Sequence, residues 1–167
     1  ISDEAAAILA DHDGDLLLNG LQSLSPTAAS GLSRHQGYML GLASLESLTG
    51  DTAAALGKYR GKMMAFRGLQ TLFPEVAKGL SAFAGDILEM DSLTTISAEA
   101  AEALGESRSD CLSLDGLMDL SAEAARGLAN FQGSYLYLNR VESLSPEALE
   151  ALGKFEGCLG LQSLSDE

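Results

Sequence analysis

The sequence predicts an α/β solenoid of about seven strand–turn–helix units, each 23–24 residues long. Three observations carry that reading. An apolar anchor recurs at Ile1, Leu24, Leu48, Leu72, Ile96, Leu120 and Leu144, spaced 23 once and then 24 five times. A further leucine stands eight residues after every anchor, from Leu9 to Leu152. Thirteen residues after the anchors come Gly14, Gly37, Gly61, Gly85, Gly133 and Gly157, with Ser109 the single exception. A fixed period of this length marks a repeat array, whose short units bury their apolar faces only by stacking on neighbours.

Each unit opens with a helix signal. After the anchor come Ser-Pro-Thr-Ala-Ala (25–29), Ser-Ala-Glu-Ala-Ala (97–101 and 121–125) or Ser-Pro-Glu-Ala-Leu (145–149). Serine suits the N-cap, and Pro26 or Pro146 suits the first helical position, where a missing N–H is no loss. Glutamate in the first turn complements the helix dipole. The paired alanines and the following leucine fall at i, i+3 and i+4, one stripe whose small residues permit close approach to a sheet. The spacing predicts about 10 helical residues per unit, ended by the recurring glycine acting as a left-handed cap.

Beyond that glycine the apolar period falls to two, as in Leu16-Leu17-Leu18, Leu40-Gly41-Leu42, Leu112-Ser113-Leu114 and Leu136-Tyr137-Leu138. This is a very short strand with alternate side chains buried. Another apolar residue three positions later (Leu21, Leu45, Leu69, Leu93, Leu117, Val141) leads back to the next anchor.

Charge narrows the function classes. With 24 acidic against 10 basic residues the net charge is -14, and the pI is near 4.3. Binding to a nucleic-acid backbone or to an anionic membrane surface needs clustered Lys and Arg, so neither is expected. A hydrophobic content of 46% is too high for a disordered acidic tail. No apolar run approaches the roughly 20 residues that span a bilayer, so membrane insertion is not expected. Compartment is left open.

The pattern Gly133-x-x-Leu136-x-Leu138-x-x-Val141-x-x-Leu144-Ser145-x-Glu147-x-x-x-x-Leu152 resembles a leucine-rich repeat of the α/β type, similar to ribonuclease-inhibitor-like and F-box-associated arrays. The resemblance runs through all seven units. Two positions depart from it: glycine replaces the lead leucine, and Leu or Val replaces the Asn or Cys that follows the strand. In the family that polar residue bonds to loop backbone, so the buried amides of these turns need other partners. The resemblance implies a horseshoe arc with a parallel sheet lining the concave face and helices outside. It implies macromolecular recognition rather than catalysis.

The chemistry-bearing residues divide accordingly. His12 and His35 share a repeat position with Tyr59, Phe83, Ser107, Phe131 and Phe155, which reads as a packing ladder rather than a metal site. Zinc needs three or four ligands, and no further ones accompany the pair. Cys111 and Cys158 lie two units apart, roughly 10 Å at strand spacing, beyond disulfide reach. They read as free thiols. No Gly-rich phosphate loop occurs, and no nucleophile, base and orienting group converge, so neither an enzyme nor a cofactor is expected. Glu99, Glu102, Glu123, Glu147 and Glu150 read as solvated capping charge.

The strand face alone varies informatively. Its early units look small and bland, whereas units three to six carry Arg67, Glu89, Asp91, Asp115, Tyr135, Tyr137 and Arg140. Tyr and Arg among carboxylates match the composition of interface hot spots. The competing reading is that Arg67 and Arg140 neutralise adjacent acids on a solvated face. A calcium site on Glu89, Asp91 and Asp115 would offer hard oxygens, but Arg67 opposes it. The expectation is therefore a non-enzymatic module that recognises an unidentified protein partner through these seven residues. The alternative is a structural spacer with no dedicated site. One domain is expected over 1–167, cut from a longer array. Its uncapped ends, including the helix-start-like Leu164-Ser165-Asp166-Glu167, are expected to favour end-to-end self-association.

Overall fold

The computed structural model describes residues 1–165. Seven helices and seven strands alternate along this stretch: α1 (Asp3–Leu9), β1 (Leu16–Leu17), α2 (Pro26–Leu32), β2 (Met39–Gly41), α3 (Gly50–Leu56), β3 (Met63–Ala65), α4 (Pro74–Leu80), β4 (Ile87–Glu89), α5 (Ala98–Gly105), β5 (Cys111–Ser113), α6 (Ala122–Leu128), β6 (Tyr135–Tyr137), α7 (Pro146–Leu152) and β7 (Cys158–Gly160). All seven strands form one parallel sheet in chain order. Each helix packs on the helices of adjacent units. The predicted repeat solenoid is the observed fold. Among the described residues no helix is long and apolar enough to cross a membrane. Of the expected C-terminal helix start, Asp166 and Glu167 lie outside the described residues.

The repeat period sets the sheet register. Leu40 pairs with Met64, Met64 with Leu88, Leu88 with Leu112 and Leu112 with Leu136, always one unit apart. These residues and the ones two further on (Leu42, Phe66, Met90, Leu114, Leu138) point inward and are fully buried. They meet the helix stripe of Ala28, Ala29, Leu32, Ala53, Leu56, Ala77, Leu80, Ala100, Ala101 and Leu104, and its equivalents in α6 and α7. One continuous core therefore lies between the sheet layer and the helix layer.

Helix starts follow the sequence. Ser2, Ser25, Thr49, Ser97, Ser121 and Ser145 each accept a hydrogen bond from the backbone N–H three residues on. The exception is α4, whose N-cap Phe73 offers no acceptor and is 53% exposed.

Helix ends do not. Six helices have seven residues and α5 has eight, against the expected ten. No described glycine adopts a positive φ, so the left-handed cap is absent. The chain instead leaves through a tightened final turn, in which His35 N–H bonds Leu32 C=O, Tyr59 bonds Leu56, and Phe131 bonds Leu128. The recurring glycine is required for space. A Cβ on Gly85 would come within 3 Å of the Phe83 ring and of Gly61 C=O, and one on Gly157 would meet Phe155 and Ser134 C=O equally closely.

Backbone also answers the turn amides left without the family's polar residue. Leu18, Leu42, Phe66, Met90, Leu114 and Leu138 each donate to the carbonyl of the next strand's outward-facing residue, at 2.8–3.0 Å. Leu21, Leu45, Leu93, Leu117 and Val141 then close a turn onto the residue three before them. The interior side chain is free to be leucine because its neighbouring unit satisfies the amides.

Candidate functional site

The strand side that faces away from the helices is the open face. Because strand side chains alternate, two positions per strand point outward. The first forms a row across the sheet, Met39, Met63, Ile87, Cys111, Tyr135 and Cys158, each in register with the next. The second gives Leu17, Gly41, Ala65, Glu89, Ser113, Tyr137 and Gly160. A third row follows the strands and carries Arg67, Asp91, Asp115 and Asn139.

All seven sequence-predicted residues lie on this face or its exit turns, but they separate into three pairs and a lone Arg140. Arg67 and Glu89 form a salt bridge, Nε to Oε1 at 2.8 Å. The bond and the charge of Glu89 hold the exposed Arg67 guanidinium firmly protonated, with Asp91 adding to the effect. Asp91 and Asp115 form a second group, of inter-unit rungs. Asp91 Oδ1 accepts from Ser113 Oγ at 2.6 Å and from Asp115 N–H at 3.2 Å. Asp115 in turn accepts from Asn139 N–H at 2.9 Å and from Asn139 Nδ2 at 3.1 Å. Both aspartates are half-buried, and their oxygens stitch three consecutive units.

Tyr135 and Tyr137 form the third group, their rings tilted with centroids 6.2 Å apart. Tyr135 is 42% exposed and Tyr137 half-buried. Partial burial pushes the Tyr137 hydroxyl up, with Cys111, Cys158, Tyr135 and Asp115 adding to it. Next to the pair, Asn139 Oδ1 is enclosed without a hydrogen-bond partner. Arg140 is exposed and makes no salt bridge within the described residues. The neutralising role anticipated for both arginines thus applies to Arg67 and not to Arg140.

Glu89, Asp91 and Asp115 do not assemble a cation cage. Their oxygens are taken up by Arg67, Ser113 and Asn139, and no three His, Cys, Asp or Glu side chains among the described residues could share a metal. The two thiols are free, with Cys158 exposed and Cys111 buried. Burial pushes the Cys111 thiol up to about 11, helped by Asp110, Asp91 and Asp115. That is the opposite of an activated nucleophile.

The ladder of His12, His35, Tyr59 and Phe83 is stacked, with centroids 5.9–6.3 Å apart and planes within 9°. Phe131 and Phe155 continue it at 6.0 Å beyond Ser107. His35 is fully buried in the stack, and neither ring nitrogen finds a partner. Tyr59 Oη donates to Gly37 C=O at 2.8 Å. Burial pushes the Tyr59 phenol up to about 12, with Asp15 contributing. The helix glutamates behave as capping charge: Glu99 and Glu147 are held below the usual carboxylate range by their own backbone amides and by Ser97 and Ser145, and Glu123 by its own amide and Arg126.

Apart from Tyr135, sequence reasoning missed the first outward row. Met39, Met63 and Ile87 in that row are half-exposed and Leu17 in the second is 54% exposed, so the early units are apolar on the open face rather than bland. The signal was available: each of Met39, Met63 and Ile87 stands two residues before a middle-row residue and must share its face.

No family model matches the chain, and no curated protein is recognisably similar to it in sequence.

Proposed function

We propose that this chain is a leucine-rich-repeat-type recognition module, without catalytic activity, that holds a protein partner on the open face of its sheet. The observation that carries the reading is the Tyr135–Tyr137 pair beside Arg140, aromatic surface and a charge that no salt bridge among the described residues neutralises. Aromatic and Arg side chains supply most binding energy where they gather. Arg67 supports the rim of such a site through Glu89. Asp91 and Asp115 hold the strand exits at a fixed spacing.

The test is capture of partners by wild type and by Tyr137→Ala/Arg140→Ala, with Glu102→Ala on the helix face as control. The expected outcome is a partner retained by wild type and the control and lost from the double variant. Equal retention by all three overturns the open-face reading. The hydrogen-bonded rungs favour a second reading, a structural spacer, to the extent that they commit polar groups of the face to holding units together. That reading gains if replacing Tyr135, Tyr137 and Arg140 together changes no association.

A further inference from the structure

We infer that the partner surface fitted by the open face is a cationic amphipathic helix lying across the strands, along the row that contains Met39, Met63, Ile87 and Tyr135. The inference rests on the open-face reading above and adds the chemistry and shape of the occupant.

The shape comes from the row itself. Met39, Met63, Ile87, Cys111 and Tyr135 stand in one register, one residue per strand. Beside them the middle row is small at Gly41, Ala65 and Ser113, which leaves a shallow floor. Adjacent strands are about 4.8 Å apart, so the row from Met39 to Cys158 runs about 24 Å. A helix laid along it presents a side chain every turn, about 5.4 Å, and drifts out of step by only about 3 Å over that length. An extended segment repeats every two residues, about 6.8 Å, and drifts by about 10 Å. About 16 residues of helix cover the row. Apolar helix faces seat in apolar grooves through anchors at i, i+3 or i+4 and i+7.

The charge comes from what flanks the row. Asp86 and Asp110 are exposed on the strand-entry side. Glu89, Asp91 and Asp115 line the exit side, and Asp15 stands at the β1 end. Lys62 and Arg67 each offset one of these, through Asp86 and Glu89. The hydrogen bonds that Asp91, Asp110 and Asp115 accept come from neutral donors and leave their charges in place. Around β4 and β5 the face is thus an apolar stripe between acidic borders, with Lys62 and Arg67 on its β3 side and the exposed Arg140 beyond β6, on a molecule of net charge -14. A partner with Leu or Ile along one helix stripe and Lys or Arg beside it complements both features, and the field steers its approach.

Fluorescence anisotropy with labelled peptides of about 18 residues tests this. One carries Leu repeated along a single helix stripe at i, i+3, i+4 and i+7 spacing and Lys elsewhere, the two in about equal numbers. A second has the same composition in strictly alternating order, a third is scrambled, and a fourth replaces Lys by Glu. The helix-patterned peptide is expected to bind at least about tenfold more tightly than the alternating and scrambled ones, more weakly as salt rises, and the Glu peptide not at all. Met63→Gln and Ile87→Gln, each confirmed folded by circular dichroism, are expected to lower its affinity about tenfold. Asp86→Asn/Asp110→Asn should shallow the salt dependence. Equal binding of patterned and scrambled peptides, tighter binding of the alternating peptide, or indifference to Met63→Gln and Ile87→Gln overturns the inference. If it fails while Tyr137→Ala/Arg140→Ala still loses a captured partner, the open-face reading stands with a different occupant. If both fail, both readings fall.

Discussion

Ser107 and Ser109 explain each other. Wherever an aromatic or imidazole ring fills the ladder, the residue two later is glycine, because a Cβ there would strike the ring. In the one unit whose ladder residue is serine, the glycine has become Ser109, and the two hydroxyls bond each other at 3.1 Å. Ser107→Phe alone should therefore destabilise by about 1–3 kcal/mol through overpacking. Adding Ser109→Gly should recover most of that loss and join the two halves of the ladder. Urea denaturation of the four members of the cycle checks this, and additive effects would refute the coupling. Alkaline pH probes the same interior. The thiol of Cys111 is raised from 9.0 to about 11 and the phenol of Tyr59 from 10.0 to about 12. Each stays neutral in the fold at pH values where the unfolded chain ionises. Their stabilising contribution is complete below pH 9 and is lost as pH climbs through 11 and 12. Melting temperature should fall across that window, less steeply in Tyr59→Phe. At neutral pH a maleimide should label exposed Cys158 well before Cys111.

Among the elements, α4 departs from its siblings. The other six helices open on a Ser or Thr whose oxygen bonds the first turn, whereas Phe73 leaves that donor unmet by a side chain. Phe73→Ser should stabilise the fold by about 1 kcal/mol, the ordinary worth of an N-cap, as read from the denaturation midpoint. A loss of stability would mean that the half-exposed ring contributes more by packing than the cap would. The helices are also unequally close. Gly79 meets the backbone of Ala54, and Gly127 that of Glu102, at distances where a Cβ would lie 2.6 Å from the amide nitrogen. Glycine is present inside α4 and α6 despite its poor helix propensity because the pairs α3–α4 and α5–α6 need that approach.

For the molecule as a whole, charge opposes stacking. Units are held mainly to their immediate neighbours, and the net charge of -14 is gathered in the first, fourth, fifth and seventh units, while the second and sixth are neutral and the third is net positive. Screening should then strengthen the array. Raising salt from low ionic strength to about 0.5 M should raise the melting temperature, whereas a charge-balanced fold would show little change. The same salt series is expected to weaken the cationic-helix peptide, so stability and binding should move in opposite directions.

By itself the sequence determined the repeat period, the alternation of helix and strand, the inward leucines, the N-caps and the open face, because each follows from local periodicity of 24, 3.6 or 2 residues. Tertiary structure decided the rest. It showed that Gly85 and its equivalents make room for a neighbouring ring and carbonyl rather than turn the chain left-handed. It showed that Asp91 and Asp115 spend their oxygens on the next unit, while Arg140 makes no salt bridge among the described residues. It brought Met39, Met63 and Ile87 into one row with Tyr135. These are relations between units, fixed by the distance from one strand or helix to the next, and a one-dimensional pattern carries the period of such contacts without their geometry.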